Sequence, residues 1–124
     1  VMAGAAPLRV LIVDDSPDDA ELTELALRDG GLAVEVRRAH GEAGVTGLLR
    51  DFRPQLVLSD VNLPGFSGAE AMAMARAALP GVPVVFLTGS SIGAPGETLP
   101  EGDGLLLKDD LDRLPDLLRG LLGR

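Results

Sequence analysis

The chain has 124 residues, enough for one sizeable core and too few for repeats or a multidomain enzyme, and its 46% apolar and 24% charged residues exclude disorder. Eleven basic residues against nineteen acidic ones give a net charge of −8, so the phosphate attraction behind nucleic-acid binding is missing. The absence of cysteine excludes disulfides, thiolate metal sites and a cysteine nucleophile, and it suits a reducing compartment.

Residues 1–7, VMAGAAP, read as a tail without the basic start and apolar core of a signal peptide, and 8–124 read as one domain. An initial Val1 suggests a cut or engineered end. LRVLIV at 8–13 is the first strand. Ser16 then offers an N-cap, Pro17 sits at the first helical position, and Asp18 and Asp19 lie beside the positive end of the helix dipole. The spacing assigns Leu22, Leu25 and Ala26 to the core stripe of this helix, and Gly30-Gly31 ends it. AVEVRRA at 33–39 alternates and is therefore placed at a sheet edge. Residues 42–51 form a second helix weakened by Gly44 and Gly47. QLVLSD at 55–60 is the third strand, and an alanine-rich helix follows over 67–79 with Ala71, Met72, Ala75 and Leu79 at helical spacing. VPVVFL at 82–87 is the fourth strand.

The segment 89–102, GSSIGAPGETLPEG, carries four glycines and two prolines where a helix is due, which predicts an eroded fourth helix of one turn at most. GLLL at 104–107 is the fifth strand, and 112–122 the last helix, with Pro115 in its first turn. The leucines at 111, 114, 117, 118, 121 and 122 fit one core-facing stripe, with the seam of a weak homodimer as the lesser alternative, and the acids between 101 and 116 read as a solvated rim. Near-continuous apolar strands alternating with helices predict an α/β fold, a doubly wound five-stranded parallel sheet of order 2-1-3-4-5. No apolar run approaches the roughly 18 residues of a membrane span, so a soluble, cytoplasmic protein with no membrane or direct nucleic-acid partner is expected.

In such sheets ligands bind beyond the carboxyl ends of the strands. Strand one ends in Asp14 and Asp15, strand three in Asp60, strand four is followed by Thr88, and strand five by Lys108. Lys108 is the only lysine among ten arginines, a compact ammonium kept at one place. Three converging carboxylates repel one another unless a cation intervenes, and a hard divalent ion such as Mg²⁺ suits oxygen ligands. A carboxylate can itself be a nucleophile: phosphoryl transfer to Asp60 would use the metal and Lys108 to neutralise charge and the Thr88 hydroxyl as a donor, with Gly89 leaving room. His40 has no second His or Cys partner and reads as a surface residue, and Met72 and Met74 read as filler.

LRVLIVDDSP, LVLSDVNLPGFSG, VVFLTG and LLLK, in this order and spacing, resemble the four signature blocks of the bacterial two-component response regulator receiver domain, CheY-like, with a flavodoxin-like fold. The resemblance covers about residues 8 to 122. It implies that Asp60 is the phosphoacceptor, that Asp14, Asp15, Asp60 and the backbone carbonyl of Asn62 hold Mg²⁺, and that Thr88 and Lys108 grip the phosphoryl group. It implies as donor a histidine kinase or histidine phosphotransfer domain, and a signalling domain that catalyses only its own aspartyl phosphorylation and dephosphorylation. Three departures from the family pattern stand out: Leu105 replaces the usual Tyr or Phe, Asp109 follows Lys108 where proline is usual, which marks a subgroup, and the fourth helix is eroded, which is the most serious. The alternative is a receiver-like interaction module acting without phosphorylation. An enzyme of the haloacid dehalogenase type would need Asp-x-Asp after the first strand and usually a cap domain, and Asp14-Asp15-Ser16 offers neither.

Overall fold

A computed structural model describes residues 7–89 and 102–122. Residues 1–6 of the expected tail and nearly all of the expected eroded helix lie outside the described residues. Five parallel strands, β1 (Leu8–Val13), β2 (Val34–Ala39), β3 (Leu56–Asp60), β6 (Val84–Thr88) and β7 (Gly104–Leu107), form one sheet in the order β2-β1-β3-β6-β7. Counted within that sheet alone, this is the expected 2-1-3-4-5 order of a flavodoxin-like fold. The alternating strand β2 lies at one edge, as expected, and β7 at the other.

The period-two geometry of a strand sends successive side chains to opposite faces, and the two cores follow from it. Leu11 and Val13 of β1 face helices α2 (Glu42–Asp51) and α3 (Gly68–Ala78), through Val45, Leu49, Ala71 and Ala75. Val10 and Ile12 face α1 (Pro17–Asp29) and α4 (Leu114–Leu122), through Ala20, Leu27, Leu114 and Leu118. Burial on both faces explains why β1, β3 and β6 read as near-continuous apolar runs.

Ser16 caps α1 as expected, its hydroxyl accepting from the Asp19 N–H at 3.2 Å, with Pro17 at the first helical position. The core stripe of α1, however, is Ala20, Thr23 and Leu27, while Leu22 and Leu25 are 55% and 49% exposed. Thr23 can be buried because its hydroxyl donates to the Asp19 carbonyl at 2.9 Å, so small and self-satisfied residues meet the sheet and the leucines turn outward. The last helix is also not one helix from 112. A 3₁₀ helix, Lys108–Arg113, starts directly at the end of β7 and kinks at Asp110, and α4 begins at Leu114 with Pro115 in its first turn.

The expected solvated rim is borne out at the exposed Asp109, Asp112, Asp116 and Asp103, but Asp103 also bonds inward. Its carboxylate accepts from the buried Val84 N–H at 2.8 Å and from Arg76 at 3.1 Å, and its own N–H donates to the Val84 carbonyl at 2.8 Å, so it pins the start of β6. Between β3 and α3, the strands β4 (Asn62–Leu63) and β5 (Phe66–Ser67) pair antiparallel across Pro64-Gly65, with Gly65 at φ +70.

Candidate functional site

Because the five strands are parallel, their carboxyl ends share one edge, and the expected site residues gather there. Asp14 follows β1 and continues its ladder, its N–H donating to Ala39 O at 2.9 Å. Its carboxylate is 2% exposed and accepts from the Ser16 N–H at 2.9 Å through Oδ1. Asp15, next in the chain, is exposed. Asp60 ends β3 opposite Leu87 of β6. Thr88 ends β6, buried and opposite Leu107 of β7, the residue before Lys108.

Lys108 ties these ends together. Its ammonium donates to Asp14 Oδ2 at 2.8 Å, Asp19 Oδ2 at 2.9 Å and Asp60 Oδ2 at 3.2 Å. Burial alone would lower the pKa of this ammonium, but hydrogen bonds to Asp14 and Asp19 and the charges of Asp14 and Asp60 override it and hold it above the ordinary lysine value. Gly89 lies beside the lysine stem: a Cβ there would come 3.9 Å from Lys108 Cδ.

Asp14, Asp15 and Asp60 each offer a carboxylate oxygen within 4.8 Å of the others, a group that could hold a metal ion. The donor set is all oxygen, without His or Cys, and so fits a hard divalent cation rather than zinc. Asn62 opens β4 directly beyond this edge. The close seat of this hairpin depends on Gly68, where a Cβ would stand 2.5 Å from the Asp60 carbonyl oxygen and 2.8 Å from Phe86 Cε1. Its N–H donates to Val61 O at 2.9 Å, which draws the start of α3 against the end of β3.

Asp19 is the site member that the sequence did not reveal. Two acids after a proline look like dipole charges, and only the chain's return through Lys108 shows that one of them faces the site. His40 is exposed and takes no part, as expected.

The response regulator receiver domain family matches residues 10–95. The chain belongs to this family. Receiver domains are signalling domains of two-component systems, and relatives of this one carry such names. The DNA-binding response regulator MtrA of Mycolicibacterium smegmatis is 41% identical over 80 residues, 64% of this chain and 34% of that protein. The transcriptional regulatory protein TrcR of Mycobacterium tuberculosis is 32% identical over 125 residues, 98% of this chain and 48% of that protein. The receiver thus spans a third to a half of the length of these curated relatives. Among solved structures, the N-terminal domain of a response regulator/sensory box/GGDEF 3-domain protein from Carboxydothermus hydrogenoformans aligns with a TM-score of 0.74 at 29% identity, covering 93% of this chain and 94% of that one. No helix among the described residues is long and apolar enough to cross a membrane.

Proposed function

We propose that this receiver accepts a phosphoryl group on Asp60 from the phosphohistidine of a histidine kinase or histidine phosphotransfer domain, in a Mg²⁺-dependent reaction in the cytoplasm. An Asp60 carboxylate oxygen attacks the phosphorus, the P–N bond to the donor imidazole breaks, and an acyl phosphate forms. Water later attacks the same phosphorus, the P–O bond to Asp60 breaks, and inorganic phosphate leaves with the carboxylate restored. The observation that carries this reading is the contact of Lys108 with Asp60 at 3.2 Å at the rim of a three-carboxylate group. Lys108 supplies positive charge where the phosphoryl oxygens arrive, and Thr88, one strand away, supplies a hydroxyl donor. Asp14, Asp15, Asp60 and the Asn62 backbone carbonyl would hold Mg²⁺. When bound, it screens charge on the acceptor and the phosphoryl oxygens.

The donor has to bring its histidine to this edge, and an apolar landing area adjoins it. A groove of about 610 Å³ between α1, the 3₁₀ helix and α4 is lined by Leu22, Leu25, Ala26, Leu111 and Pro115, with Asp29, Asp112 and Lys108 as its charged walls. Lys108, shared between the groove wall and the acceptor site, supports the groove as the contact surface for the phosphohistidine protein in this reading. A net charge of −8 keeps the domain itself off nucleic acid.

Incubation with acetyl phosphate and Mg²⁺ should add one phosphoryl group, located on Asp60 by mass spectrometry, and Asp60→Asn should not be labelled. Equal labelling of the variant would reject the assignment. A protein that takes no label from acetyl phosphate or from any phosphohistidine donor would instead act as an interaction module.

A further inference from the structure

Lys108 is held by three carboxylates, and only two of them belong to the candidate metal group. Asp14 and Asp60 are shared between the ammonium and the triad, whereas Asp19 contacts the ammonium at 2.9 Å and lies outside the triad. A dication and an ammonium on the same two carboxylates repel each other, so the lysine needs a partner that the metal does not use. Asp19 is built to be that partner. Its N–H is fixed by Ser16 Oγ at 3.2 Å and its carbonyl by the Thr23 hydroxyl at 2.9 Å, so the first turn of α1 presents its carboxylate from a fixed backbone. Ser16 already caps the helix, which leaves the Asp19 side chain free of that task. The contact to Asp60 is the longest of the three, which places the ammonium nearer the Asp14 and Asp19 side of the site than the acceptor.

We propose that Asp19 is a positioning residue for Lys108, holding the ammonium at the rim of the site while a divalent cation occupies the Asp14, Asp15 and Asp60 carboxylates. This rests on the reading of the site as a Mg²⁺-dependent phosphoacceptor. Without Asp19, the ammonium keeps only the two shared carboxylates and competes with the cation for them. Neutralising Asp19 also removes a negative charge near the cation, and a second background separates the two effects.

The test is calorimetric titration of Mg²⁺ into four unphosphorylated proteins: wild type, Asp19→Asn, Lys108→Met and the double variant, with Lys108→Gln replacing the methionine if that variant fails to fold. Asp19→Asn should weaken Mg²⁺ binding about fivefold when Lys108 is present and less than about twofold when it is absent. Asp19→Glu, which keeps the charge, should recover most of the affinity. Equal loss in both backgrounds would make Asp19 a distant charge only, and unchanged or tighter binding in Asp19→Asn would remove any holding role, so each of these overturns the proposal. Should the wild type take up no Mg²⁺, the site reading itself fails, an outcome distinct from wild-type binding without coupling between Asp19 and Lys108.

Discussion

The Lys108 ammonium bridges the sheet edge to Asp60 at 3.2 Å, across 48 residues of sequence, while its tighter contact at 2.8 Å is to the almost fully buried Asp14. The same group that would receive phosphoryl charge therefore also neutralises a buried carboxylate in the unmodified domain. Lys108→Met should destabilise the fold by about 3 kcal/mol, the lower end for breaking a buried pair, because Asp60 and Asp19 keep some water. Mg²⁺ should restore part of that stability by neutralising the same carboxylates. Because folding raises the lysine pKa above its ordinary 10.5, its contribution is complete below that pH and declines as pH rises beyond it. The gap in urea midpoint between wild type and Lys108→Met should hold from pH 7 to about 10 and narrow only above. A gap that closes between pH 8 and 10 would contradict the ion-pair network.

Gly68 lets α3 begin against the carbonyl of the proposed acceptor, with room for no Cβ. Gly68→Ala should cost about 1–3 kcal/mol through overpacking and should slow labelling by acetyl phosphate, since Asp60 and Phe86 must give way together. Gly47, inside α2 with nothing within 4 Å of an added Cβ, is the control. Gly47→Ala should stabilise by roughly 0.5–1 kcal/mol through helix propensity alone. Denaturant midpoints of the two variants moving in the same direction would show that the contact at 68 yields easily.

Strand order, strand positions to within two residues and the edge that gathers Asp14, Asp15, Asp60, Thr88 and Lys108 were legible because buried parallel strands carry near-continuous apolar runs and their polar followers share one edge by topology. The face of α1 was not legible. Positions 22, 25 and 26 and positions 20, 23 and 27 have similar helical spacing, and hydrophobicity favours the first set. What decides is that Thr23 satisfies its own hydroxyl, a local bond invisible to apolar counting. Asp19 and Asp103 were hidden for a related reason. Each has a long-range partner, Lys108 or Val84, that only the folded chain brings near, and an acid without its partner in view reads as a solvated charge. The last helix, expected from 112 with Pro115 in its first turn, begins at Leu114, because the chain first turns into a 3₁₀ helix at Lys108 itself.

The outward turn of Leu22 and Leu25 leads to the prediction about the donor. Two leucines about half exposed on one helix, bordering a groove whose wall includes Lys108, contribute little to the core. Replacing either with glutamate should therefore change stability by no more than about 0.5 kcal/mol. Acetyl phosphate reaches Asp60 without crossing the groove, so its labelling rate should be unchanged in Leu22→Glu and Leu25→Glu. A histidine kinase shown to label the wild-type domain has to cover the apolar surface to bring its imidazole in line, and a buried glutamate there lacks a partner. Transfer from that kinase should slow about tenfold or more, as for loss of a central interface contact. Equal slowing with both donors would mean that the substitutions disturb the acceptor site itself. Unchanged transfer from the kinase would move the docking surface to another face of the domain.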